Sequence, residues 1–347
     1  MLLTRQLNSL NVDPMNDKHR QMAILTVFAM LLVVLGHSDI TDDYKQLWHF
    51  RWIYSFHMPL FFFISGFLFS LTNPIERLQT MSYTSFLKKK TVRLLSPFLF
   101  FNTVIFLIKA TLVRDPSMMQ HPTTLALDSF IHYTLFAPIG FMWFLPALFI
   151  VFVLIFPFWK IIRCKLRRGG EFLLLAVVFV LFVIIDVILV PLDFLQIGSA
   201  IHYMPYFILG MVYCLYEQTV DRYLMKWWKI LILVSCILSV SLLMRDMVAA
   251  FCGITFCLCS TLVLADKGGN WVVKFSCYCY PIFLLSYFPQ MFVRGPIAYN
   301  FPDVNQYLLS ALSFVLGLSV PLGICVVYES LGKRYALVRH MGILIGL

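Results

Sequence analysis

Charge is what this sequence is short of. Charged residues make up 13% of its 347 residues and hydrophobic ones 61%. No polar stretch is long enough for a separate soluble domain, and this composition excludes an ordinary soluble globular protein. No C-x-x-C pair occurs among the nine cysteines, and no Cys/His spacing suits a ligand set, so no metal centre is expected. Cys257 and Cys259, like Cys277 and Cys279, project to different faces of a helix, and buried cysteine behaves as a small hydrophobe. The first twenty residues are polar and lack an apolar core, so no cleavable signal peptide is expected. No repeat of fixed period stands out. A net charge of +10 raises the question of nucleic acid, but the basic residues lie in short segments between apolar runs. Membrane topology puts them there, and nucleic acid is not an expected partner.

What is abundant is apolar sequence in lengths that suit a bilayer, for which about 20 residues suffice. Ten spans are predicted, near 20–36, 52–71, 92–113, 141–159, 172–190, 200–216, 228–244, 248–265, 272–292 and 307–328. The seventh and eighth divide at Arg245-Asp246, and the ninth is interrupted by Pro281 and Pro289. The expected fold is all-α, a polytopic membrane helix bundle forming one domain over 1–347 behind a polar N-terminal segment, 1–19. Most of the 27 lysines and arginines fall on one side if the chain alternates from a cytoplasmic N-terminus. Both termini are then cytoplasmic, and Lys88, Lys89, Lys90 and Arg93 face inward. The expected location is a bacterial inner membrane.

Two histidines meet at the outer side of this topology. The first span ends in Gly36-His37-Ser38, and the second opens with Ser55-Phe56-His57-Met58-Pro59. Ionisable groups at membrane depth are costly and mark functional sites. Imidazole titrates near neutrality and serves as a general base. The loop between them carries Asp39, Asp42, Asp43, His49 and Arg51, and is short enough to hold both histidines in one vestibule. The segment 114–140, with His121, Asp128 and His132, is placed to cover it. Residue types alone leave open the alternative that both histidines merely close the hairpin. Met58-Pro59 predicts a helix start just after His57. Ser65-Gly66 offers a small patch for close helix approach. Asp186 and Lys109 are expected to pair or to snorkel, and Glu217 and Glu329 to be solvated.

The run Leu32-Val33-Val34-Leu35-Gly36-His37-Ser38, followed by Ser55 through Gly66 (Ser-Phe-His-Met-Pro-Leu-Phe-Phe-Phe-Ile-Ser-Gly), resembles the acyltransferase family 3 membrane proteins, in their fucose 4-O-acetylase-like branch. Weaker likenesses are Lys88-Lys89-Lys90 with Arg93 and Pro97, Trp143-Phe144-Leu145, and Tyr203 with Pro205, Tyr206, Phe207 and Gly210. The resemblance implies a membrane enzyme transferring acyl groups, commonly acetyl from acetyl-CoA, to hydroxyls of surface glycans. It implies His37 as catalytic histidine and His57 as a second member of the site. Lys89, Lys90 and Arg93 would hold the phosphates of the donor, where several cations suit a polyanion. The chain departs from the family at Thr26, where a cation is usual, and at Ser286, where a histidine is frequent. Arg20 is the expected substitute for the missing cation and a further expected contact for the donor. The rival expectations are a glycan exporter or flippase, and a family relative without catalysis.

Overall fold

The computed structural model describes residues 17–38, 48–112, 124–165, 168–188, 192–241, 246–265, 270–301, 303–334 and 342. Among them every regular element is helical. In chain order these are α1 (Asp17–Gly36), α2 (Trp48–Thr72), α3 (Ile75–Thr80), α4 (Tyr83–Lys90), α5 (Ser96–Leu112), α6 (Leu127–Leu135), α7 (Phe144–Lys165) and α8 (Arg168–Ile188). There follow α9 (Ile197–Ser241), α10 (Asp246–Ala265), α11 (Asn270–Ser276), α12 (Cys279–Leu285), α13 (Tyr287–Phe292), α14 (Ala298–Asn300) and α15 (Gln306–Arg334). Seven helices among the described residues are long and apolar enough to cross a membrane, and the shorter Arg20–Gly36 is apolar as well.

Several boundaries differ from the sequence expectation, each for a local reason. Pro59 does not begin a helix; it lies inside α2, which starts at Trp48. The buried face of Ile53, Phe56, Leu60 and Phe63 runs straight through it, and membrane helices tolerate such prolines. The third span begins earlier than expected. Ser82 accepts a hydrogen bond from the Ser85 amide and starts α4, and one π turn, Thr91–Leu95, joins α4 to α5. The lysine run is therefore helical. Spans six and seven appear as the 45-residue α9, which leaves helical angles at Tyr216. The ninth span is divided into α11, α12 and α13, as its prolines forewarn.

The chain forms two compact units, one of Met1–Ser65 with Leu215–His340, the other of Gly66–Cys214, with a few C-terminal residues assigned to each. In the first unit α10, α11 and α12 pack along α1, and α12 and α13 along α15. A Cβ at Gly253 of α10 would run into the Phe56 ring of α2. In the second unit Phe69, Phe86, Phe152, Phe156, Trp159 and Phe207 build an aromatic core, with the Phe86 and Phe156 rings stacked at 4.1 Å. The small patch at Ser65-Gly66 serves close approach: a Cβ at Gly66 would collide with the Phe207 carbonyl oxygen of α9. Glu217 is buried rather than solvated, whereas Glu329 is exposed and accepts from the Tyr278 hydroxyl.

Backbone cannot yield as a flexible side chain does, so Gly66→Ala should destabilise by about 1–3 kcal/mol, the cost of overpacking. Gly323 of α15 has nothing within 4 Å of an added Cβ, and Gly323→Ala is the control. Thermal unfolding in detergent should show a lowered midpoint for the first only. Equal midpoints would contradict the contact.

Candidate active site

A helix leaves its last four carbonyls without intrahelical partners, and in an apolar surrounding each unmade hydrogen bond is costly. At the end of α1 all four are satisfied. The His37 amide donates to the Val33 oxygen at 3.0 Å. The Ser38 amide and hydroxyl both donate to the Leu35 oxygen, at 3.1 and 2.7 Å. The other two donors come from other helices. Gln290 Nε2 of α13 donates to the Val34 oxygen at 2.8 Å, and the Tyr54 hydroxyl of α2 donates to the Gly36 oxygen at 2.9 Å.

This capping fixes where His37 sits. Its ring meets those of Tyr54 and His57 edge to face, at centroid distances of 6.0 and 6.4 Å, and the Tyr54 and His57 rings lie 4.9 Å apart. His57 is 3% exposed, and its Nδ1 lies 2.9 Å from the Ile53 carbonyl oxygen. A carbonyl can only accept, so Nδ1 carries a proton, which in the neutral tautomer leaves Nε2 as the acceptor. His37 is half-buried, one residue beyond the end of α1. Burial, then the neighbouring His57 and the Arg294 charge, hold its imidazole well below the ordinary value of 6.5. The group is thus a neutral proton acceptor near pH 7.

The structure brings His37 and His57 together and adds three residues that the sequence reading passed over: Tyr54, Gln290 and Arg294. Arg294 is a cation just beyond the ninth span and Tyr54 an aromatic near the start of the second, and nothing local points to Gln290. Arg20 does not join them. It stands at the other end of α1, about 25 Å along the axis at 1.5 Å per residue. Its Nε is buried without a hydrogen bond. Thr26 turns its hydroxyl onto its own helix, at the Met22 oxygen, 2.7 Å away. Ser286 is fully buried, one turn before Gln290. Asp39, Asp42, Asp43 and His121 lie outside the described residues, and Asp128 and His132 are exposed on α6.

In the second unit the basic run separates into different roles. Lys88 and Lys89 are exposed. Lys90 folds back over the Phe152 ring, its Nζ 3.6 Å from the centroid, and feels the charges of Arg93 and Arg77. Arg77, which the sequence reading did not single out, is held by a 2.9 Å bond to the Thr72 oxygen. Lys90, Arg93 and Arg77 therefore form one basic cluster, suited to an anion of several charges. Asp186 pairs with His202 at 2.8 Å and not with Lys109.

The model of acyltransferase family 3, described as "Acyltransferase domain", matches residues 23–329. The Nodulation protein NolL of Mesorhizobium japonicum (strain LMG 29417 / CECT 9101 / MAFF 303099) is 34% identical over 130 residues, which is 36% of this chain and 31% of that relative. The chain thus covers about a third of the relative's length. No solved structure matches. A family match over nearly the whole length, with seven helices among the described residues long and apolar enough to cross a membrane, fits an integral membrane protein, and the chain belongs to the acyltransferase family 3.

Proposed function

We propose that the protein is a membrane O-acyltransferase. It would move an acetyl group from acetyl-CoA to a hydroxyl of a cell-surface polysaccharide or of its lipid-linked precursor, with His37 as the general base. The observation that carries this reading is the capped end of α1, which sets the neutral His37 against His57 and Tyr54. Membership of an acyltransferase family supports acyl transfer as the reaction class. The eight apolar helices among the described residues, with α9 divided at Tyr216 and the broken stretch α11–α13, support ten crossings; the bias of lysine and arginine to one side supports termini in the cytoplasm. A bacterial inner membrane is the location proposed.

In this reading the acceptor hydroxyl gives its proton to His37 while its oxygen attacks the thioester carbonyl carbon. His57, with a bare Nε2, accepts a hydrogen bond that orients the acceptor. The tetrahedral intermediate collapses, the carbon–sulfur bond breaks, and the leaving thiolate takes the proton from the His37 imidazolium. No metal is required for either step. Lys90, Arg93 and Arg77 are the proposed contacts for the donor phosphates, with Lys89 in an outer, weaker role.

General-base removal costs 10²–10⁴-fold in rate, so His37→Ala should lose about that factor in acetyl transfer by detergent-purified protein while its unfolding midpoint stays put. His57→Ala should fall less far. Full transfer by His37→Ala would sink the assignment. For the donor, calorimetric binding of acetyl-CoA should weaken about tenfold or more in Lys90→Ala/Arg93→Ala, a loss of about 1.4 kcal/mol or more. Lys89→Ala should differ little from the parent. Undiminished binding in the double variant would move the phosphate site elsewhere.

A further inference from the structure

Arg294 helps to keep His37 neutral, yet the acyl-transfer steps above give its own charge no part, and its placement is specific. It lies in a single π turn, Val293–Ile297, which directly follows α13. Such turns re-aim a side chain and are frequent at functional sites. The neighbours Phe292 and Pro296 are exposed, whereas Arg294 is half-buried. Its Nε turns back to the Gln290 oxygen at 3.4 Å, and its guanidinium lies 5.9 Å from the Tyr287 ring centroid. Among the described residues no carboxylate pairs with it.

Register places this cation beside His37. α11 and α12 pack along α1, and Gln290 meets α1 at Val34. Gly317 of α15 closes on the same level, where a Cβ would come within 2.9 Å of both Gln290 Nε2 and Val34 Cγ1. One turn beyond Gln290 is Arg294, and one turn beyond Val34 is His37. The electrostatic influence of Arg294 on His37 agrees with that register. The level itself is fixed by a polar side chain with no exposure at all.

We infer that Arg294 is a catalytic residue of the acyl transfer, receiving the negative charge that develops on the acyl oxygen while His37 takes the acceptor proton. The inference rests on the O-acyltransferase reading. In the step, the acceptor oxygen forms a bond to the acyl carbon and the carbonyl π pair moves onto oxygen, facing the guanidinium. As the pair returns, the carbon–sulfur bond breaks and the thiolate leaves with the proton from His37. A fixed cation at the site of developing charge needs no reorganisation at the moment of reaction. Gln290 is a positioning residue, setting the height of α13 against α1.

The test uses purified full-length protein with acetyl-CoA and a soluble glycan acceptor. Removing one oxyanion-stabilising donor costs about 10²–10³-fold in kcat, and Arg294→Ala should show that loss with KM nearly unchanged. Guanidinium ion added to Arg294→Ala should restore part of the rate. Arg294→Lys, which keeps the charge and guards against a folding defect, should lie between the two. Calorimetric acetyl-CoA binding should stay as in the parent. An Arg294→Ala rate within about twofold of the parent, beside an inactive His37→Ala, would overturn the arginine's role alone. A loss confined to KM, or one that guanidinium does not relieve while Arg294→Lys is equally inactive, would also overturn it. Full transfer by His37→Ala would overturn the underlying reading, and this inference with it.

Discussion

The hydrogen-bond demand at the end of α1 is the constraint on which the rest of the site depends. An apolar helix that stops at membrane depth has carbonyls to satisfy, and water is scarce there. Local amides satisfy two of them, at Val33 and Leu35. The Val34 and Gly36 oxygens need donors from elsewhere, and Gln290 and Tyr54 supply them. Each donor brings its own helix into register. Tyr54 carries His57 on the next turn of α2, and Gln290 carries Arg294 on the next turn beyond α13. One requirement of backbone chemistry therefore assembles an imidazole pair and a cation around His37.

Neutrality of the base follows from the same arrangement. A helix C-terminus carries partial negative charge and favours a protonated histidine, by about 0.3–1 kcal/mol in exposed cases. At His37 burial opposes this and wins, and His57 and the Arg294 charge push the same way. An imidazole placed so is ready to accept a proton and, once charged, is driven to return it.

Much of this was legible in the sequence, and the reasons for the rest are physical. Apolar runs of bilayer length gave the helical class, and Gly36-His37 with Ser55-Phe56-His57 marked both histidines. Gly66 announced a close helix approach that the Phe207 backbone fulfils. α2 starts well before Pro59, because a proline signals a helix beginning only when the preceding residues lack a buried face of their own. Arg20 stands seventeen positions of helix before His37, at the opposite end of α1. Gln290 and Arg294 stand more than 250 residues from Val34 in sequence, and no local pattern encodes such a pairing. Asp186 and His202 lie only 16 residues apart, yet no helical spacing announces their pairing.

The most direct measurement is the pH dependence of kcat/KM for acetyl transfer by the intact protein, from about pH 5 to pH 8, since this ratio reports the free enzyme's essential base. A base held below its ordinary value keeps its acceptor form as pH falls, and loses it only on approaching the lowered value. The account predicts a flat profile through pH 6.5, with any decline confined to the acid extreme. A one-proton acid limb centred near 6.5 would contradict it, because His37 would then titrate as an ordinary solvated imidazole.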